Sequence, residues 1–447
     1  MDEAALSGAL AEAVTTQRWF RSKASQIKQV NLFDSCAIGG YHFHLFEIET
    51  VRKELYSIPL ADGRKEGAFQ VCADGVWRHD ALTEDGFLAA VTELIRTSTE
   101  VRGRKGVFSA SADGDIPATV QHAKPVGAEQ SNSSFILNGM IYKHYRKLEE
   151  GENPDYEVPR YLVSKGFTET PEPLGKLEYI KEGRYLAASL FRYIKNSGDC
   201  WSFFTQRLNR FFSEGGNDCM DYVRSIAEMT AEMHSLLSQG KVEFAPTAIE
   251  ETDIMEWKRD FLQLLQEVQM NAAAPTQNTS TRERIGKVLR TLESTADAAE
   301  GMMGAYKIRI HGDYHLGQIL NGEDKLYVID FEGEPMRSLQ YRRRTHTALR
   351  DVAGMLRSLN YAAIASGGGE KGEEWSMEAE HIFMETYLSC LRGAVPLLPE
   401  AKAIQRTLAF FLAEKAMYEL NYEMNNRPAW ISIPLQGLER YASTNIW

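Results

Sequence analysis

The sequence predicts an α+β protein of two lobes. Three observations carry that prediction. Up to about residue 195, apolar residues alternate at period two between turn signals. Beyond residue 196, apolar residues recur at helical spacing over long stretches. The chain has 447 residues, enough for two or three domains. The expected division is a small α+β cap over residues 1–100, a strand-rich lobe over 101–195, and a mostly helical lobe over 196–447.

Composition narrows the class. With 43% hydrophobic and 25% charged residues, the chain matches an ordinary water-soluble protein. A net charge of −12 argues against nucleic acid or an anionic membrane as main partner. Cys36, Cys72, Cys200, Cys219 and Cys390 are scattered and lack Cys-x-x-Cys spacing, so reduced thiols and no zinc site are expected. No apolar run reaches membrane-spanning length, and the acidic start Met1-Asp2-Glu3 carries no signal-peptide core. A cytoplasmic monomer acting on a small molecule is the expectation.

Residues 4–17 read as a helix, followed by Arg18-Trp19-Phe20-Arg21-Ser22-Lys23, an aromatic plug. Tyr41, Phe43 and Leu45 share one strand face, with His42 and His44 on the other. Glu54–Leu60 reads as the partner strand, and a further hairpin turns at Ala73-Asp74-Gly75. Phe87, Leu88, Val91, Leu94 and Ile95 predict a closing helix. His42, His44, His79 and His122 read as surface or strand positions, since no second ligand sits at metal spacing. Ser131-Asn132-Ser133-Ser134 precedes a hairpin that turns at Asn138-Gly139 and carries Lys143 on its second strand. Small polar residues there can cradle phosphate with backbone N–H groups.

Asn153-Pro154 is a helix-start signature. It places Glu157 early in a helix, as the expected ion-pair partner of Lys143; Pro159 would break that helix and argues for a later start. Leu174–Ile180 and Leu186–Ile194 read as strands, with Phe191 and Tyr193 at a hinge whose backbone would meet an adenine ring. Helices dominate thereafter. Asn271–Thr281 and Gly367-Gly368-Gly369 read as surface loops.

The chemistry gathers in His311-Gly312-Asp313-Tyr314-His315-Leu316-Gly317-Gln318 and in Tyr327-Val328-Ile329-Asp330-Phe331-Glu332. Lys307–Ile310 alternates as a strand leading into the first run. Asp313 is placed as the base toward an acceptor hydroxyl, His311 as the residue bracing the catalytic loop, and Gln318 with Asp330 as Mg²⁺ oxygens. An acid, an amide five residues on, and an apolar strand ending in Asp-Phe have the layout of a kinase site. Here Gln replaces Asn and reaches one methylene further. Neither a Walker loop nor the Gly-x-Gly-x-x-Gly loop of protein kinases is present, which points to a small-molecule acceptor.

The chain resembles the maltokinases, a branch of the aminoglycoside-phosphotransferase and choline-kinase-like superfamily. The resemblance rests on Arg18-Trp19-Phe20 with Lys23, the Ser131–Ser134 run, Lys143, Asn153-Pro154-Asp155 and the two catalytic runs through Glu334-Pro335. It continues through Leu349-Arg350-Asp351-Val352-Ala353-Gly354-Met355, Glu414-Lys415-Ala416-Met417-Tyr418-Glu419-Leu420 and Arg427-Pro428-Ala429-Trp430. Where that family commonly has Gly-Gly after Arg-Trp-Phe, this chain has Arg21-Ser22. The resemblance implies a two-lobed eukaryotic-kinase-like fold with an N-terminal cap. It also implies ATP as phosphoryl donor, Mg²⁺, and maltose phosphorylated at its anomeric hydroxyl for α-glucan synthesis from trehalose-derived maltose. Trehalose synthase is the implied partner.

Near the C-terminus, Glu414, Lys415, Tyr418, Glu419, Tyr422 and Glu423 follow helical spacing, so several share a face, and Arg427 and Trp430 follow in a loop; Glu419, Tyr422, Glu423, Arg427 and Trp430 are expected to meet the sugar. Asp351 is expected to hold the catalytic loop from the following helix. Two other readings compete: a kinase for glucosamine or another sugar, and a weak pseudokinase regulating a trehalose-converting enzyme.

Overall fold

The computed structural model describes residues 2–23, 25–118, 122–127, 132–273, 279–334 and 337–442. They form two compact units, Met1–Val163 with Pro171–Lys195 and Ser164–Thr170 with Asn196–Trp447.

The first unit opens with α1 (Glu3–Ala13), whose first turn is capped by the Asp2 carboxylate. Strands β1 (Gln29–Ile38), β2 (Tyr41–Glu49), β3 (Lys53–Ser57), β4 (Leu60–Asp62), β5 (Gln70–Ala73) and β6 (Val76–Asp80) follow, then α2 (Asp85–Arg96). Next come β7 (Glu100–Arg102), β8 (Val107–Ala112), β9 (Lys124–Pro125), β10 (Ser133–Leu137), β11 (Met140–His144) and β12 (Lys147–Leu148). Helix α3 (Pro154–Ser164), β13 (Pro173–Ile180) and β14 (Arg184–Arg192) complete the series. One sheet runs β12-β3-β2-β4-β6-β5 with β1 also on β2, and the other runs β7-β8-β13-β14-β11-β10-β9.

One apolar core joins residues from both sides of position 100: Phe43, Phe87 and Leu88 pack in the same cluster as Phe108, Tyr142 and Leu177. His44, expected at a surface or strand position, lies in β2 and is 1% exposed, because apolar residues back both faces of that strand. Asn138 and Gly139 have φ of 42° and 76°, as a two-residue hairpin turn matching strand twist requires. Asn153 accepts from the Asp155 N–H, so α3 starts at Pro154 and Pro159 lies inside it, against the later start expected. Residues 128–131, including Ser131 of the expected phosphate cradle, lie outside the described residues.

The second unit begins with β15 (Asn196–Asp199), α4 (Cys200–Glu214), α5 (Met220–Leu237), β16 (Thr247–Ala248), α6 (Glu251–Ala272) and α7 (Thr279–Leu292). It continues through β17 (Tyr306–Lys307), β18 (Ile319–Gly322), β19 (Leu326–Val328), α8 (Leu339–Arg342), α9 (Leu349–Ala365), α10 (Gly369–Cys390), α11 (Ala401–Asn426) and α12 (Ser432–Ala442). Small sheets β15-β18-β19 and β16-β17 are the only sheets among its described residues. The strand expected over Lys307–Ile310 shrinks to Tyr306–Lys307, because Ile308 pairs with His346 in an isolated bridge. Helix α11 is apolar on most faces, with Phe410, Phe411, Leu412, Met417 and Leu420 buried, and Phe410 stacks on Phe261 of α6 at 4.7 Å. Part of the surface loop expected over Asn271–Thr281 is helical, and residues 274–278 lie outside the described residues, as does Pro335. All five cysteines are unpaired thiols, and no described helix is long and apolar enough to cross a membrane.

Candidate active site

In the first unit, Lys143 sits mid-strand on β11, opposite Ser134 of β10 and Ser189 of β14. Its Nζ lies 2.7 Å from Asp155 Oδ2, with both side chains nearly buried. Asp155 is thus a partner of Lys143 that the sequence reading, which named Glu157, did not assign. Helix α3 begins at Pro154, so Asp155 falls in the first turn facing the sheet, and Glu157 is about 200° further round the axis. The Tyr145 hydroxyl also donates to Asp155 and lies 3.2 Å from Ser189 Oγ, which fixes the carboxylate beneath the lysine. Such a pair holds a nucleotide lysine in kinases.

Other predicted nucleotide residues are arranged less directly. The Ser133 hydroxyl accepts from Arg146 Nε at 2.9 Å, and Asn132 is buried just before β10. Phe191 packs into the core against Tyr156 at 5.7 Å. Tyr193 already donates its backbone N–H to the Gly139 carbonyl, so an adenine would have to use other backbone groups of that segment.

In the second unit, the catalytic run forms an irregular loop held from beneath by α9. Asp351 accepts from the backbone N–H groups of His311 at 2.8 Å and Gly312 at 2.9 Å. His234 of α5 approaches the same carboxylate at 3.2 Å. Burial pushes the Asp351 pKa up, yet the His234 ring and these N–H groups outweigh it and hold the carboxyl below its usual value. Gly354 lets α9 approach closely, because a Cβ there would meet the Tyr314 carbonyl at 2.6 Å.

His311 is 1% exposed. Its Nδ1 accepts from the Asp313 N–H at 3.3 Å, and its Nε2 donates to the Ile329 carbonyl at 2.9 Å. A carbonyl can only accept, so the proton is on Nε2 and both ring nitrogens are engaged. His311 is therefore a positioning residue that ties the loop to the strand leading into Asp330. Gln318 Nε2 lies 3.3 Å from Asp330 Oδ2. Asp330 has φ of 63°, a strained conformation for a residue with a side chain and one that concentrates at functional sites. The two side chains supply an amide oxygen and a carboxylate, hard donors that fit Mg²⁺.

Asp313 opens into a cavity that Gly333, Glu334, Arg337, Arg350, Lys415 and Tyr418 also line. Lys415 Nζ stands 3.8 Å from Asp313 Oδ1 and 3.9 Å from Glu334 Oε1. His315 Nε2 is 3.9 Å from Asp313 Oδ2, and burial pushes the imidazole pKa down. Every carboxylate of the described lining faces a cation or a set of N–H donors. Glu414 pairs with Arg350 at 3.0 Å, Glu334 with Arg337 at 3.4 Å, and Asp351 is satisfied as above.

The five residues expected to meet the sugar do not line this cavity. Phe411, Glu414, Lys415 and Tyr418 form the α11 stripe that faces it, at helical spacing. Glu419 is turned about 100° from Tyr418 and is held by fully buried Arg357 at 2.9 and 2.7 Å. Glu423 is buried against Arg427 at 2.9 Å. Tyr422 continues the stripe one turn beyond the cavity, exposed, with Arg427 over its ring. Trp430 stacks on Tyr361 at 6.5 Å.

Sequence reasoning named Asp155, Arg350 and Lys415 among the motif residues but gave them no site role, and it missed Arg337, Arg342 and Arg344. The role of Asp155 was legible in the Asn-Pro cap, and that of Lys415 in the 411/414/415/418 spacing. The arginines gave no local signal, because their position depends on α9 and α11 packing.

The sequence pattern of the phosphotransferase enzyme family matches residues 123–333, which run from the strands flanking Lys143 to the residues just past Asp330. Strand-rich N-terminal and helical C-terminal regions make the fold kinase-like, and the matched pattern is that of a phosphotransferase. Among named proteins, the chain is 23% identical to the glucosamine kinase of Mycolicibacterium smegmatis over 81% of this chain and 89% of that protein. It is 25% identical to the glucosamine kinase of Streptacidiphilus jiangxiensis over 71% and 73%. A solved glucosamine kinase in complex with glucosamine, ADP and inorganic phosphate superposes with a TM-score of 0.71 at 19% identity, covering 96% of this chain and 98% of that one. At that identity the likeness speaks to the fold.

Proposed function

We propose that this protein transfers the γ-phosphoryl group of ATP to the anomeric hydroxyl of maltose, giving maltose 1-phosphate for α-glucan synthesis. The observation that carries the choice of acceptor is the charge of the cavity around Asp313. Its lining holds Arg337, Arg342, Arg344, Arg350 and Lys415; Glu414 and Glu334 pair with Arg350 and Arg337, Asp351 is held by loop N–H groups, and Asp313 alone stays open to an acceptor. Donor-rich walls with no carboxylate to spare beyond the base suit a neutral polyhydroxyl acceptor better than an ammonium.

In this reading Lys143, held by Asp155, steadies the nucleotide phosphates. Gln318 and Asp330 hold Mg²⁺, which neutralises phosphate charge when bound. Asp313 orients the anomeric hydroxyl and takes its proton as the new O–P bond forms; the bond from the γ-phosphorus to the bridging oxygen breaks, and ADP leaves. His311 keeps Asp313 in place without carrying the proton.

The test is a sugar panel with ATP and Mg²⁺, the phosphate position being read by NMR. Maltose 1-phosphate is the expected product. Turnover of glucosamine with none of maltose would reject this reading. That second reading, a glucosamine kinase, is favoured by the names of the relatives.

A further inference from the structure

We propose that Lys415 is the residue by which this site admits neutral sugars and turns away amino sugars. The inference rests on the neutral-acceptor reading above. The two distances from Lys415 Nζ, 3.8 Å to Asp313 and 3.9 Å to Glu334, both exceed hydrogen-bond length. The ammonium thus spans a gap between the base and a second carboxylate without closing on either. A hydroxyl oxygen fits such a gap: it can accept an N–H from Lys415 while its own proton points at Asp313. Lysine offers three donors and no acceptor. A hydroxyl therefore pairs with it, whereas a substrate ammonium has no lone pair to offer and meets a like charge. At about 4 Å that repulsion lowers affinity by roughly fivefold in water and up to about a thousandfold in a partly buried site.

Burial works against the charge of the lysine, but the carboxylates around it outweigh that and hold its pKa above the usual value. Asp313 and Glu334 face it, Glu419 lies near on its own helix, and its Nζ sits 5.3 Å from the Tyr418 ring centroid. His315 of the catalytic loop faces the same Asp313 carboxylate. The neighbouring cations give an amine no easier place, since Arg337, Arg344 and Arg350 are already matched by Glu334, Glu256 and Glu414. Helix α11 fixes the lysine's position through the buried residues Phe411, Ala416 and Met417.

The experiment compares kcat/KM for maltose and glucosamine in the wild type, Lys415→Gln and Lys415→Arg, with folding checked by thermal melting. The wild type should prefer maltose. Lys415→Gln should shrink the maltose-to-glucosamine ratio at least tenfold, and Lys415→Arg should preserve it. A folded Lys415→Gln with an unchanged ratio overturns the inference and leaves the maltose reading of the wild type standing.

If Lys415→Gln does not fold, the wild type decides through inhibition of maltose phosphorylation by glucosamine. Inhibition should strengthen as rising pH removes the amine charge, while inhibition by uncharged N-acetylglucosamine stays level. Glucosamine inhibition that does not strengthen overturns the inference. A wild type that phosphorylates glucosamine and no neutral sugar overturns both this inference and the maltose reading.

Discussion

Single side chains here have duties that their neighbours fix. Asp313 carries the proposed chemistry, so Asp313→Asn should lower kcat by roughly 10²–10⁴-fold with little change in melting temperature, as steady-state kinetics and calorimetry would reveal. His311, though adjacent in sequence, spends both nitrogens on the loop. Two buried groups of the first unit set a pH limit. Burial pushes the His44 pKa down to about 3 from 6.5. Burial raises that of Glu54, but hydrogen bonds from Lys147, Ser22 and Tyr56 hold it down to about 2 against 4.5. In both cases the unfolded chain binds a proton that the folded chain does not, so stability falls as pH drops through 6.5 toward 2. His44→Phe should flatten the part of that decline between pH 6.5 and 3, measured by denaturant melts across pH. An unchanged slope would show that His44 does not contribute.

At the scale of elements, α9 is the foundation of the catalytic loop. Asp351 and Gly354 sit one turn apart on it, one binding the loop's N–H groups and the other letting the Tyr314 carbonyl approach. Gly354→Ala places a methyl 2.6 Å from that carbonyl. It should cost about 1–3 kcal/mol of stability and lower kcat more than it raises KM, because it moves the loop that holds Asp313. A variant with wild-type kinetics would mean that the loop has slack. Asp351 was expected to hold the catalytic loop from the following helix, and it accepts the loop's N–H groups from there. Glu157 could not be placed from its spacing: the Asn-Pro cap was legible, but which first-turn acid faces the sheet depends on the rotation of α3 against β11 and β14. Likewise Glu419 and Glu423 had the residue types of sugar ligands, and only the packing of α9 against α11 assigned Glu419 to Arg357.

At the scale of the molecule, residues on both sides of position 100 share one core. Phe43 lies 5.0 Å from Phe108, and Ile38, Leu45, Phe87, Leu88, Val91 and Ile95 are in the same cluster. Removing residues 1–100 exposes what these seven cover, at about 1.5–3 kcal/mol each, which matches or exceeds the 5–15 kcal/mol that holds a typical domain. A chain lacking them should be insoluble or molten, as expression yield and near-UV circular dichroism would tell. A well-folded product would make the N-terminal segment a separable domain.

The sequence alone determined the class of chemistry and the order of its parts. A strand lysine, an acid–amide loop and a strand-borne aspartate are local patterns, and local patterns survive in one dimension. It also determined the fold class, because period-two and helical alternation are properties of neighbouring residues. The tertiary structure decided which acid meets Lys143, which face of α11 meets Asp313, and that Lys415 stands between two carboxylates. Those are rotations of helices against their supports, set by the packing of side chains far apart in the chain, and no spacing rule encodes them.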